Sequence, residues 1–300
     1  MRYPNFFIVG AARSGTTYLW WQLKRNSSVF MPQDELNKEP AYFSGKNKKL
    51  DFASYSELFK HASDEHKLIG EASTAYLTDP KSAERIRDFN PHAKIIIILR
   101  NPAERAYSLY NWMVQEGYEY STSFERALLL EEKRSKKQIP CFWEPEYYWN
   151  YMYFASGLYF EQIQRYIDSF NKNVCIVTFD DLKSDLRKTY SKICCFLRID
   201  QNEIIPVPQN PSLSVYHPWI QFFNRKINNY FQMLISKVMN KKISTKNERD
   251  HLLNIFILRK PPAPLSPELK NYLMNRYQRN IMNLNRLVKD INFSCWIDNP

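Results

Sequence analysis

The run Ile95-Ile96-Ile97-Ile98-Leu99 constrains the fold more than any other stretch of the chain. Five apolar residues in a row have no polar face, so a strand built from them must be covered on both sides. Parallel sheets with helices on each face provide that cover. The run stops at Arg100. Asn101 then offers an N-cap side chain, and Pro102 brings the fixed φ that suits a first helical position. Ala106, Leu109, Tyr110 and Met113 follow at helical spacing. Similar strand-to-helix units recur. Asn5–Val9 runs into Gly10, and Leu19, Trp20 and Leu23 mark a helix from Thr16 to Arg25. Lys67–Glu71 is a second short strand. Val174–Phe179 is a third, followed by a helix that carries Leu186, Tyr190, Ile193 and Leu197. Ser266 and Pro267 open a last long helix with Leu269, Tyr272, Leu273, Tyr277, Ile281 and Leu284 on one face. Strands alternating with helices predict an α/β fold, a parallel sheet flanked by helices in a single domain over residues 1–300. The proline-rich, charged segment Lys241–Pro264 reads as a surface loop or lid.

Composition narrows the classes. The net charge of +11 favours anionic partners: a phosphorylated small molecule, an acidic glycan, nucleic acid or membrane phosphates. No zinc-finger, RNP or helix-turn-helix pattern supports nucleic acid. No stretch of about 18 apolar residues is long enough to span a membrane. Trp219–Met239, broken by Asn224, Arg225, Lys226 and Lys237, reads as an amphipathic helix packed on the core. Five scattered histidines and five cysteines without CxxC spacing predict no metal site. Neither a basic leader nor a disulfide framework is visible, so a reducing, cytoplasmic setting is expected.

Phe6-Phe7-Ile8-Val9-Gly10-Ala11-Ala12-Arg13-Ser14-Gly15-Thr16-Thr17 reads as strand, glycine turn and helix start. Such a loop aims backbone N–H groups and a helix N-terminus at an anion. The glycine spacing is that of a P-loop, but Thr16 stands where a Walker lysine belongs. The next apolar strand ends in Arg100 rather than in a carboxylate for magnesium. A cation there suits a phosphate held without metal. A P-loop nucleotide kinase and a non-catalytic module that binds anionic glycan are the alternatives.

Gly10–Thr17 resembles the 5′-phosphosulfate loop of sulfotransferases that use 3′-phosphoadenosine 5′-phosphosulfate. Ile98-Leu99-Arg100-Asn101-Pro102-Ala103-Glu104-Arg105-Ala106-Tyr107-Ser108 resembles their 3′-phosphate element, an arginine at a strand end and a serine eight residues on. Lys38-Glu39-Pro40-Ala41-Tyr42-Phe43, Gly70-Glu71-Ala72-Ser73-Thr74-Ala75-Tyr76-Leu77 and Leu265-Ser266-Pro267-Glu268-Leu269 resemble the branch with heparan sulfate sulfotransferases and bacterial relatives. The likeness runs from Phe6 to Trp296 and is weak from Pro218 to Arg259.

The resemblance implies transfer of a sulfuryl group to a hydroxyl or amine, with adenosine 3′,5′-bisphosphate as the second product. It makes Glu39 the general base and Arg13 the cation at the bridging oxygen, with Lys38 steering the sulfonate or holding Glu39. Ser14, Gly15, Thr16 and Thr17 supply loop contacts. Arg100 and Ser108 bind the 3′-phosphate, and Glu71 and Ser73 line the acceptor cleft. Glu71 also stands as an alternative base. Tyr159 has two open readings, packing near the adenine or in the core. The aromatic cluster from Phe142 to Tyr153 has the same choice between sugar stacking and core. Ala72 departs from the lysine that heparan-type enzymes tend to carry there, which counts against a heparan-like acceptor.

Overall fold

The structure, a computed structural model, describes residues 2–32, 38–44, 50–136, 145–205, 214–215, 217–223, 225 and 259–298. The apolar runs form the strands expected of them. β1 is Phe6–Gly10, β3 is Leu68–Glu71, β4 is Lys94–Leu99 and β5 is Val174–Thr178. A short β2, Val29–Phe30, joins them. Among the described residues they make one parallel sheet in the order β2-β3-β1-β4-β5. β1 is therefore central: Phe6 pairs with Gly70 on one side and with Lys94 on the other.

Side chains alternate across the sheet with the two-residue period of a strand. Phe7, Val9, Ile95, Ile97 and Leu99 point into one core, and Phe6, Ile8, Ile96 and Ile98 into the other. The first core is covered by α5 (Pro102–Gln115), α7 (Tyr159–Phe170) and α10 (Pro267–Leu287). The second is covered by α1 (Thr16–Lys24) and α9 (Leu186–Leu197). Burial on both faces explains why β4 carries no alternation in sequence. The remaining described helices are α2 (Phe52–Glu57), α3 (Ala75–Thr78), α4 (Ser82–Phe89), α6 (Phe124–Ser135), α8 (Phe179–Ser184) and α11 (Cys295–Asp298).

Three expectations change in detail. Phe179 starts α8 instead of ending β5, because Thr178 caps that helix in a reciprocal box with Asp181. Tyr272 is 54% exposed; the buried stripe of α10 is Leu273, Met274, Tyr277, Asn280, Ile281 and Leu284. Of Trp219–Met239 only 219–223 and 225 are described: Gln221 and Phe222 pack inward, while Trp219 and Phe223 face out. Of Lys241–Pro264, residues 241–258 lie outside the described residues. Arg259–Lys260 form β7, antiparallel to β6, Ser214–Val215. The chain beyond β7 is tied down where Tyr107 donates to the Ala263 carbonyl at 2.6 Å.

Candidate active site

β1 delivers the chain to the loop between Gly10 and Thr16. Gly10 has φ 153°, and a Cβ there would lie 2.7 Å from Cβ of Leu77, so only glycine lets the loop pass under α3. Gly15 stands at the N-cap of α1 with φ 89°; its missing Cβ leaves room for the Phe179 ring. No side chain caps α1. Its first-turn N–H groups have no intrahelical acceptor, and the helix dipole places positive potential at this end. Ser14 is fully buried and its Oγ has no hydrogen-bond partner. Thr16 is buried and Thr17 half-buried at the start of α1. Arg13 holds φ 66°, a left-handed conformation that costs a non-glycine residue about 1–2 kcal/mol. That conformation carries its guanidinium across to α5, where Nε donates to Ser108 Oγ at 3.3 Å.

β4 brings Arg100 to the same place. Its Nη1 donates to the Arg13 carbonyl at 3.3 Å, and its guanidinium lies 4.8 Å from the centre of the Phe179 ring. Nη2 sits 3.5 Å from Glu104, whose other oxygen meets Lys270 of α10 at 3.3 Å. The Arg100 Nε is buried without a partner. Asn101 caps α5 by accepting from the N–H groups of Ala103 and Glu104. That cap sets the turn that separates Arg100 from Ser108. Burial, reinforced by Arg100, pulls the Arg13 guanidinium down to about 10, against the opposing charges of Glu116 and Glu39. Arg13 is thus a desolvated cation with two carboxylates within electrostatic reach.

Glu39 lies across from it. Lys38 is buried and its Nζ contacts Glu39 Oε1 at 2.8 Å. Glu39 Oε2 accepts from Thr74, from the backbone N–H at 3.1 Å and from the hydroxyl at 2.8 Å. Desolvation pushes the Glu39 carboxyl up, but Lys38 and the two Thr74 bonds outweigh it and hold it below its ordinary value. A general base that works near neutral pH is ordinarily tuned upward; these partners tune Glu39 the other way.

Glu71 and Ser73, expected at the cleft, are fully enclosed. Glu71 ends β3 with its side chain turned into the first core, where Tyr76 donates to Oε1 at 2.7 Å. Burial pushes its carboxyl up to about 8. Ala72 faces the opposite core. Tyr159 is fully buried beside Trp296, and its hydroxyl donates to the Arg100 carbonyl at 2.9 Å. It therefore reaches the site through the Arg100 backbone. The aromatic cluster divides: residues 142–144 lie outside the described residues, Tyr148 and Trp149 are half-buried, and Tyr151 and Tyr153 are core. Tyr153 is bound to Glu119, which forms a buried ion pair with Arg134 at 2.9 Å.

Sequence reasoning passes over four participants. Thr74 grips Glu39, Phe179 lies beneath Arg100, and Glu104 with Lys270 completes the cation cluster. Thr74 had a signal, since it lies inside the Gly70–Leu77 motif. Lys270 had none, because only packing of α10 on α5 brings it near Glu104. Among the described residues no three histidine, cysteine or acidic side chains come together as a metal cage, and no helix is long and apolar enough to cross a membrane.

The chain is similar to the membrane-associated sulfotransferase kil1 of Dictyostelium discoideum, 33% identical over 114 residues that cover 37% of this chain and 23% of that protein. It is also 33% identical over 112 residues to the bifunctional heparan sulfate N-deacetylase/N-sulfotransferase 1 of Homo sapiens, covering 36% of this chain and 13% of that protein. The chain thus spans less than a quarter of the length of these curated relatives. Over its whole length it is similar to the solved sulfotransferase from Alicyclobacillus acidocaldarius, 26% identical with a TM-score of 0.70 and 99% of each chain covered. The family model described as "Sulfotransferase domain" matches residues 3–213, from just before β1 to just before β6. With more than half of its length inside that match, the chain belongs to the sulfotransferase domain family.

Proposed function

We propose that this protein transfers a sulfuryl group from 3′-phosphoadenosine 5′-phosphosulfate to a hydroxyl or amine of a carbohydrate acceptor. The observation that carries the reading is the junction of Arg13, Arg100 and Ser108. Two cations and a hydroxyl from separate elements meet beside an uncapped helix N-terminus. The donor fits this junction: the buried, unpartnered Ser14 Oγ and Arg100 Nε are polar groups for which an anion would supply partners. Ser14, Gly15, Thr16 and Thr17 would hold its 5′ end, and Arg100 with Ser108 its 3′-phosphate. When bound, the donor supplies an activated sulfur with a phosphate leaving group.

The chain's own residues supply charge and a proton acceptor. Arg13, already desolvated, stabilises charge on the departing oxygen, a contribution of roughly 3–4 kcal/mol at comparable sites. Glu39 receives the acceptor's proton. Held ionised by Lys38 and Thr74, it is a weak base at rest, so the transfer occurs late, as the acceptor's bond to sulfur forms and its proton becomes acidic. Lys38 keeps the carboxylate aimed. Glu71 and Ser73 stand behind Glu39 and do not meet the acceptor; Tyr159 positions Arg100. The carbohydrate acceptor rests on the heparan sulfate enzymes among the relatives and on the half-buried rings of Tyr148 and Trp149.

We take residues 1–300 as one working unit, supported by the packing of α10 on α5 and α7. The thiols of Cys175, Cys194 and Cys195, in no disulfide among the described residues, support a reducing, cytoplasmic setting. A radiolabelled sulfate-transfer screen over glycans, lipids, phenols and small alcohols tests the reaction, and adenosine 3′,5′-bisphosphate should raise the melting temperature without added metal. Equal stabilisation by adenosine 5′-phosphate, or magnesium-dependent stabilisation by ATP alone, would overturn it.

A further inference from the structure

Glu71 is a buried carboxyl that the reaction does not use directly, and its surroundings are unusually ordered. Its Oε1 accepts from the Tyr76 hydroxyl, and that hydroxyl oxygen accepts from the backbone N–H of Phe43 at 3.2 Å. Its Oε2 lies 3.5 Å from Ser73 Oγ, and Ser73 Oγ accepts from the N–H of Ala41 at 3.0 Å. Two relays thus run from one carboxyl to the two ends of the Ala41–Phe43 turn, directly after Glu39. The same stretches are joined again where the Ala72 N–H donates to the Lys38 carbonyl and where Thr74 grips Glu39. Ala41 sits at φ 50°, a conformation that a residue with a Cβ keeps only where its surroundings enforce it. The Ser73 bond to its N–H is one of the enforcing contacts.

We propose that Glu71 is a positioning residue for Glu39, setting the Ala41–Phe43 backbone through Ser73 and Tyr76. The inference rests on the reading of Glu39 as the base. The groups facing Glu71 are Tyr55 of α2, Tyr76 of α3, Tyr166 of α7 and Glu39 itself. None of these is a cation, so an ionised Glu71 would stand uncompensated in the core. With its carboxyl pushed up to about 8 by burial, Glu71 is neutral at pH 7 and accepts from the hydroxyls of both Ser73 and Tyr76. As pH rises through about 8 the carboxyl gains a charge that none of these facing groups compensates, and the enclosed turn that it braces loosens.

The test compares Glu71→Gln, Glu71→Ala and Tyr76→Phe in turnover, acceptor KM, binding of adenosine 3′,5′-bisphosphate and pH profile. Glutamine keeps the shape, the neutral charge and an acceptor for Tyr76, so Glu71→Gln should stay within about threefold of normal kcat at pH 7, the scale of a single neutral hydrogen bond. It should also lose the decline in kcat above pH 8 that is expected of the unmodified protein. Glu71→Ala should lower kcat about 10²-fold, the usual result of misplacing a catalytic group by about 1 Å, with nucleotide binding unchanged. If Glu71→Ala does not fold, Tyr76→Phe cuts the same relay and should lower kcat in the same direction. Glu71→Gln as inactive as Glu71→Ala would make Glu71 a proton-transferring group and overturn the proposal. So would full activity of both Glu71→Ala and Tyr76→Phe while Glu39→Gln is inactive. Full turnover of Glu39→Gln, by contrast, would remove the reading of Glu39 itself.

Discussion

Arg13 donates from Nε to the hydroxyl of Ser108, 3.3 Å away, linking the phosphate loop after β1 to the second turn of α5. On the proposed reading Ser108 would serve two ends of the donor, binding one phosphate and bracing the cation that acts at the other. Ser108→Ala should weaken binding of adenosine 3′,5′-bisphosphate by about tenfold or more, the loss of one hydrogen bond to a charged group. Binding of adenosine 5′-phosphate should change much less. Calorimetric titration of both nucleotides decides it; equal losses would take Ser108 away from the 3′-phosphate.

Arg13 and Arg100 are neighbours with different tasks. In the proposed reaction Arg100 would hold the 3′-phosphate equally before and during transfer, so Arg100→Ala should mainly raise the donor's KM. Arg13 would face charge that grows only as the bond to sulfur breaks. Arg13→Ala should lower kcat by roughly 10²–10³-fold, as removal of an oxyanion donor does elsewhere. Steady-state kinetics with varied donor separates them, and a pure KM effect in both variants would leave the mechanism without its electrophile.

Glu39→Gln should retain nucleotide binding and lose about 10²-fold or more in turnover. The acid side of the pH profile carries a second signature. Because Lys38 and Thr74 hold the Glu39 carboxyl low, activity should persist through the ordinary carboxylate range and fall only as pH drops below it. Lys38→Met removes the largest opposing charge and should move that acidic limb upward. A limb that stays in place would show that Lys38 does not set the ionisation of Glu39.

Glu104 occupies the position of an anion between Arg100 and Lys270. Glu104→Gln should raise the affinity for adenosine 3′,5′-bisphosphate by about threefold at low salt, the scale of a partly exposed ion pair, and less at high salt. Weaker binding in this variant would mean that Glu104 orients Arg100 instead of competing for it.

The frame of this site is written plainly in the sequence. A glycine turn after β1, an arginine at the end of β4 and the Asn101–Pro102 cap are local signals, each set by a few adjacent residues. What the sequence hides is enclosure. Glu71 ends a four-residue strand too short to show a period, and the tyrosines that face it, Tyr76 and Tyr166, come from α3 and α7. Tyr159 and Tyr272 differ in burial although both lie on helices with apolar stripes, because Tyr272 sits at the rim of its stripe. The tuning of Glu39 was hidden for the same reason. Thr74 is a plain polar residue until the turn at Ser73 aims its hydroxyl and its N–H at one carboxylate oxygen.

The central place of β1 has a consequence for biosynthesis. Phe6–Gly10 leaves the ribosome first, yet its flanking partners, Leu68–Glu71 and Lys94–Leu99, are made last among the three. At typical elongation rates β1 waits on the order of 5–20 s for its second neighbour. During that time an entirely apolar strand with two open edges is exposed to solvent, a state that favours aggregation or chaperone capture. Nascent chains arrested after β4 should resist protease where chains arrested after β3 do not. The strand that anchors the phosphate loop is thus made before both of its neighbours and sheltered only once the second has followed.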